Sequence, residues 1–195
     1  MKKLILALAL VLAFTLVFTS CTTKDEVSDD NKENVENNIE NVEDVPAETS
    51  KVLSAEELEA AVNAIYEKHP MPFMTGSIPA EMINADSFKY YTGLDNNEGV
   101  NAVVVSESMM GSQAYSLVLL SVEEGNDAEA IATSMINGID QRKWMCVEAD
   151  LIRTVVSGNT VMLVMIDSSM DIAIDPFVDA FTEVVGEVTF EAKKN

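Results

Sequence analysis

Four apolar runs constrain this chain more than anything else in it. They are GVNAVVVSES and AYSLVLLSVEE, followed by LIRTVV and TVMLVMI at residues 151–156 and 160–166. Short runs rich in Val, Ile and Leu and bounded by turn residues read as strands. Gly111 and Ser112 separate the first two, and Ser157-Gly158-Asn159 separates the last two, so each pair predicts a hairpin. In the second, Gly158 stands where a tight turn wants a positive φ. The strands are apolar at nearly every position instead of alternating. That predicts a sheet covered on both faces, by the first helix or by a second copy of the chain.

Helices are expected around these strands. Ser54 and Glu57 have capping-box spacing, and Leu58, Ala61, Val62 and Ile65 then form one apolar stripe. That helix should end near Lys68, because Pro70 disfavours helical geometry at His69. Residues 70–78 read as irregular, and a short helical stretch follows from about Pro79 to Tyr91, closed by Gly93. Gly125-Asn126-Asp127 opens a long helix with Ala128, Ile131, Ala132, Met135 and Ile139 inward, running to about Trp144. Asp175 is placed to cap a last helix, with Pro176 at its first position and Gly186 just past its end. Phe177, Phe181, Val184 and Val185 would be its inner face. The expected fold is α+β: an antiparallel sheet of about four strands in a ββαββα core, with helices packed on it and one helix before it. No solenoid-type repeat is present.

The N-terminus has a different character. Lys2 and Lys3 precede an apolar run, Leu4–Phe18, broken only by Thr15, and then come Thr19, Ser20 and Cys21. The run is short for a membrane span, which needs roughly 20 apolar residues, and suits a signal peptide over residues 1–20. Thr19-Ser20-Cys21 resembles the bacterial lipobox, with Phe18 where Leu is usual. The resemblance implies cleavage before Cys21 and attachment of acyl chains, of the palmitate class, to it. Two or three such chains hold a protein firmly, since each buried CH₂ adds about 0.8 kcal/mol. Residues 21–52, with NKENVENNIENVEDVPAETS at their centre, have no aromatic residue and read as an acidic disordered spacer. A chain of this length would reach roughly 30 Å from the lipid. The folded domain is expected over residues 53–195.

Charge narrows the partners. The formal net charge is −21, and loss of Lys2 and Lys3 with the signal peptide makes it −23. Nucleic acid and anionic lipid surfaces repel such a chain. There are two cysteines; with Cys21 acylated, Cys146 is left unpaired. Following Trp144 and Met145, Cys146 reads as a small buried hydrophobe.

The stretch from Tyr91 to Ser168 carries a family resemblance. Its segments YTGLDNNEGVNAVVVSES, YSLVLLSVEEGNDAEAIATSMINGIDQRKWM and TVVSGNTVMLVMIDSS resemble lipoproteins of unknown function from low-GC Gram-positive, clostridial-type bacteria. The resemblance implies the strand-pair and helix order and the lipid anchor. It implies no activity.

Candidate chemistry is sparse. His69 is the only histidine, and no G-x-S-x-G occurs, which speaks against a triad hydrolase. His69, Met71 and Met74 supply soft ligands that suit Cu(I), against the commoner role of Met as a gap-filler. Asp167, Asp171 and Asp175 recur every four residues, and Asp95-Asn96-Asn97-Glu98-Gly99 is oxygen-rich. Either could hold a cation, and either reads as ordinary turn and cap chemistry. Arg142, Lys143 and Arg153, with Trp144 beside them, could hold an anionic ligand, or they could simply satisfy a helix C-terminus. Neither a catalytic residue nor a cofactor is assigned. The expectation is a non-enzymatic lipoprotein on the outer face of the cytoplasmic membrane, anchored through Cys21. Its domain would bind a cell-envelope protein or a small ligand. The alternative is an accessory or solute-binding subunit of a transport system.

Overall fold

A computed structural model describes residues 51–194. The expected signal peptide, Cys21 and nearly all of the expected spacer lie outside the described residues. In chain order the elements are α1 (Ala55–Lys68), β1 (Thr75–Ser77), a 3₁₀ turn at Ala80–Met82, α2 (Phe88–Thr92), β2 (Val100–Ser108), β3 (Tyr115–Val122), α3 (Ala128–Gly138), β4 (Leu151–Ser157), β5 (Thr160–Ile166), a 3₁₀ turn at Ser168–Met170, α4 (Asp175–Val184) and β6 (Phe190–Lys194). The fold is α+β, and β2-β3-α3-β4-β5-α4 is the expected core. The sheet has six strands, not about four, all antiparallel, in the order β1-β2-β3-β5-β4-β6. The two additional strands are its edges.

β3 and β5 occupy the middle and are buried at every residue. Their side chains alternate between two separate cores. Val118, Leu120, Val161, Leu163 and Met165 face one side, where Ala132, Met135 and Ile136 of α3 meet them. Tyr115, Leu117, Leu119, Met162 and Val164 face the other, under Leu58, Val62 and Ile65 of α1 and Phe177 and Phe181 of α4. Each large side chain fully buried this way contributes about 1.5–3 kcal/mol. Both faces are therefore covered from within the chain.

Topology explains how. The β3-α3-β4 connection crosses over β5, and the β5-α4-β6 connection crosses over β4. Both move in the same lateral direction, but they start from antiparallel strands. Two such crossovers of the same hand must lie on opposite faces of the sheet, and α3 and α4 do.

The helix ends show what local chemistry decided. Ser54 and Glu57 make the reciprocal capping box, and the four stripe residues of α1 are its buried set. Asp127 caps α3, accepting from the amides of Glu129 and Ala130. The helix stops at Gly138, well before Trp144. A side chain at Gly138 would stand 2.0 Å from the carbonyl oxygen of Gly93, and one at Gly93 would stand 2.3 Å from that of Met135. Gly93 also has φ +81. The end of α2 thus sits directly on the end of α3, and Ile139 leaves in extended geometry.

Three further expectations are corrected. The stretch from Pro79 to Tyr91 is a 3₁₀ turn and a separate five-residue helix. Within residues 70–78, Thr75–Ser77 is a strand, because Met74–Ile78 pairs with the end of β2. Asp175 does not cap α4. Ile174 holds the cap position with no side-chain cap bond, and the Asp175 carboxylate turns to Arg153 Nη1, 2.5 Å away. Among the described residues, no helix is long and apolar enough to cross a membrane.

Candidate functional site

The segment between α3 and β4 contains the most unusual chemistry in the domain. It is a loop closed at its neck. The Ala149 amide donates to the Gln141 carbonyl at 2.9 Å, and Gln141 Nε2 donates to the Ala149 carbonyl at 3.0 Å. Arg142 and Glu148 pair across the outside. Lys143 points inward, and its side chain is 0% exposed.

The Lys143 ammonium ends among groups from three elements. Nζ lies 2.6 Å from Glu107 Oε1 on β2 and 3.2 Å from Ser116 Oγ on β3. Glu107 and Ser116 are direct register partners. The rings of Tyr90, Tyr91 and Trp144 surround the charge, with centroids at 5.1, 5.7 and 5.0 Å. Tyr90 also donates its hydroxyl to the Lys143 carbonyl at 3.2 Å. The Glu107 oxygen is at ion-pair distance but outside hydrogen-bonding geometry, so the attraction there is Coulombic. Burial pushes the Lys143 amine below its ordinary value of 10.5, against the opposing pull of Glu107.

A buried amine beside a serine hydroxyl is the arrangement of a Ser–Lys nucleophile pair. Here Ser116 is also fully buried, so both groups are sealed beneath the loop. What the arrangement does is fasten the loop to the sheet. The ion pair and ring faces replace the hydration that the ammonium gives up. The sequence pointed to the cations and Trp144 but missed Glu107, Ser116 and the two tyrosines. The available signal was a charged residue, Glu107, inside an otherwise apolar strand.

The other candidates disperse. Arg142 stays at the surface. Arg153 pairs with Asp175 and, at 3.1 Å, with Glu191, so it ties β4 to α4 and β6. Asp167 caps the 3₁₀ turn through the Ser169 amide, and Asp171 ends that turn at φ +56. Among the described residues, no group of three or more His, Cys, Asp or Glu is placed to hold a metal ion. In the Asp95–Gly99 stretch, Asp95 pairs with Lys89 at 2.7 Å and Asn96 accepts from the Glu98 amide. Cys146 is exposed and lies at φ +66. The expectation of a buried residue fails because Cys146 sits at the outer turn of the closed loop, while Lys143 and Trp144 take the inner side.

His69 caps the end of α1, with its ring edge-on to Phe177 at 4.5 Å. Met71 packs on the α1/α4 core, whereas Met74 is 73% exposed. That divides the His69-Met71-Met74 ligand set between core and solvent. Nearby, Tyr66 donates to Ser106 at 2.8 Å and lies 3.0 Å from the Tyr115 hydroxyl. Burial pushes Tyr115 well above its ordinary value of 10.0 and Tyr66 above it as well.

Of the clefts on the described surface, two contrast in size and lining. The larger, about 690 Å³, lies between the start of α1, the β4–β5 turn and the end of α4; Leu53, Glu57, Ala60, Asn159, Val185 and Glu187 are among its lining. The smaller, about 330 Å³, is lined by Asn84, Asn96, Asn97 and Asn101 with Phe88 and Val100. Comparison with protein-family models, with curated proteins and with solved structures gives no match.

Proposed function

We propose that this is an extracytoplasmic lipoprotein of the clostridial type, held on the outer face of the cytoplasmic membrane through acyl chains on Cys21. Its α+β domain binds a partner or small ligand of the cell envelope. The observation that carries the anchor is the Thr19-Ser20-Cys21 sequence at the end of the Leu4–Phe18 run. A spacer of about thirty residues then separates that cysteine from the capping box that starts the domain. With both faces of the sheet covered, binding falls to its ends. The larger cleft has Lys51 and Leu53, among the first residues of the described domain, in its lining.

Metabolic labelling with an alkynyl fatty acid tests the anchor. The wild-type protein should carry the label and sediment with membranes, and Cys21→Ser should lose the label. Labelling that survives Cys21→Ser, or an unlabelled wild-type protein, overturns the reading.

The second reading, an accessory or solute-binding subunit of a transport system, draws on the volume of that cleft. It falls in the roughly 300–1,000 Å³ range of small-molecule sites. Capture of the tagged, lipidated protein from membranes, followed by identification of what co-purifies, separates the two. A reproducible envelope protein favours the interaction domain, and a defined metabolite favours the solute binder.

A further inference from the structure

Large apolar side chains at the surface of this domain are chosen by element and not by size. Among the described residues six stand exposed: Met74, Met82, Met109, Met110, Met145 and Tyr90. Five of the six carry sulfur. A surface selected for hydrophobic contact alone would draw on Leu, Ile and Phe as well, and among the described residues none of these stands exposed.

Two of these methionines are paired across strands. The Met109 amide donates to the Met74 carbonyl at 3.0 Å, one step beyond the Thr75–Ser108 pair, so Met74 and Met109 are cross-strand neighbours. Such neighbours share a face, with Cβ atoms about 4.5–5.5 Å apart. Met109 Sδ lies over Gly76, 3.2 Å from where a side chain there would begin. Gly76 therefore leaves room for the sulfur on the same face. Met74 is 73% exposed and Met109 67%, and Met110 follows directly at 54%.

We propose that Met74 and Met109, with Met110 at the rim, form a binding site for a soft monovalent metal ion of the Cu(I) class. Thioethers favour such ions over hard cations. They are neutral and carry no proton to displace, so binding here is independent of pH, unlike that at imidazole or thiolate sites. The formal charge of −21 raises the local cation concentration, and among the described residues no group of three or more His, Cys, Asp or Glu is placed to compete for the ion. Flexible side chains with three rotatable bonds can close on an ion from both strands.

The test uses the full chain in detergent with Cys146→Ser, which removes the exposed thiol. The methionine methyl groups are ¹³C-labelled and Ag(I) serves as a redox-inert probe, added beyond one equivalent so that any remaining thiol fills first. The Met74 and Met109 methyl resonances should shift together and saturate before those of Met82 and Met145. Met74→Leu and Met109→Leu keep the bulk and apolarity but remove the sulfur. Each should weaken binding by about tenfold or more, as expected for losing one of two linked ligands. Affinity should be the same at about pH 5.5 and about pH 7.5. Parallel shifts at all exposed methionines, or unchanged affinity in Met109→Leu, overturn the proposal. A loss of affinity at the lower pH overturns it equally, because it assigns the ion to another ligand.

Discussion

On one face of the sheet, α1 and α4 lie side by side, and aromatic and branched side chains fill the space beneath them. On the other, α3 presents Ala128 and Ala132 at close range, α2 is only five residues long, and a loop closes what the helices leave open. The first face is sealed by apolar bulk, within which the neutral hydroxyls of Tyr66, Ser106 and Tyr115 bond to one another. The second is sealed in part by a buried charge. The two unlike solutions arise on the same strands because the crossover helices α3 and α4 are of similar length, while their companions are not: α1 adds 14 residues beside α4 and α2 only 5 beside α3. Where the helix is short, a lysine on a closed loop completes the cover.

Phe177→Ala is the strongest way to break the first face. Phe177 is fully buried between α1, α4 and Tyr115. Its truncation should cost about 3–5 kcal/mol, read as a lowered denaturation midpoint with an unchanged slope. A cost under about 1 kcal/mol would mean that the apolar seal is not what holds α4.

The second face should respond differently. Lys143→Met leaves Glu107 buried without its partner and should cost about 3 kcal/mol. Adding Glu107→Leu removes the stranded charge and should restore stability to within about 1 kcal/mol of wild type. A double variant as unstable as the single one would show that the ion pair is not the fastening. The pH dependence gives an independent reading. The folded value of Lys143 lies below 10.5, so between the two values the unfolded chain binds more protons and stability rises with pH. The stability gap between wild type and Lys143→Met should therefore widen in favour of wild type as pH approaches 10.5 from below.

Tyr115→Phe sharpens the contrast with the smallest effect. It removes a hydroxyl from Tyr66 while leaving Tyr66 bonded to Ser106, at a cost of about 1 kcal/mol at neutral pH. The folded value of Tyr115 lies above 10.0. Its contribution is present below that pH and lost as pH rises through the folded value. The variant should accordingly lose less stability than wild type in alkaline titration followed by circular dichroism. An equal alkaline loss would place the sensitivity elsewhere.

Much of this frame was legible because it is local. The capping box at Ser54, the α1 stripe, the Asp127 cap and the four central strands follow from spacing and composition within a few residues. The edge strands were not legible. Thr75-Gly76-Ser77 has no strand pattern of its own and is a strand only because β2 lies beside it. Phe190–Lys194 alternates weakly and ends in lysines. The end of α3 also depends on a distant residue, since Gly93 occupies the space a longer helix would need. At the candidate site the sequence offered Lys143 and Trp144 as a cation and a ring at the surface. Their inward turn, with Cys146 turned outward instead, depends on the path of a loop closed by Gln141 and Ala149, a contact that carries no periodic signal.

The order β1-β2-β3-β5-β4-β6 also sets a timetable. The central ladder joins Tyr115 to Ile166 and Ser121 to Thr160, so its two halves are made far apart in time during synthesis. Contacts of long sequence separation require loop closure before any burial rewards it, which slows folding relative to helical bundles. On the proposed export route, a chain emerging from its N-terminus presents residue 21 to an acyl transferase while β5 is still on the inner side. The domain cannot complete its middle until nearly the whole chain has crossed. Anchoring before folding is then a consequence of strand order and needs no separate device to delay collapse.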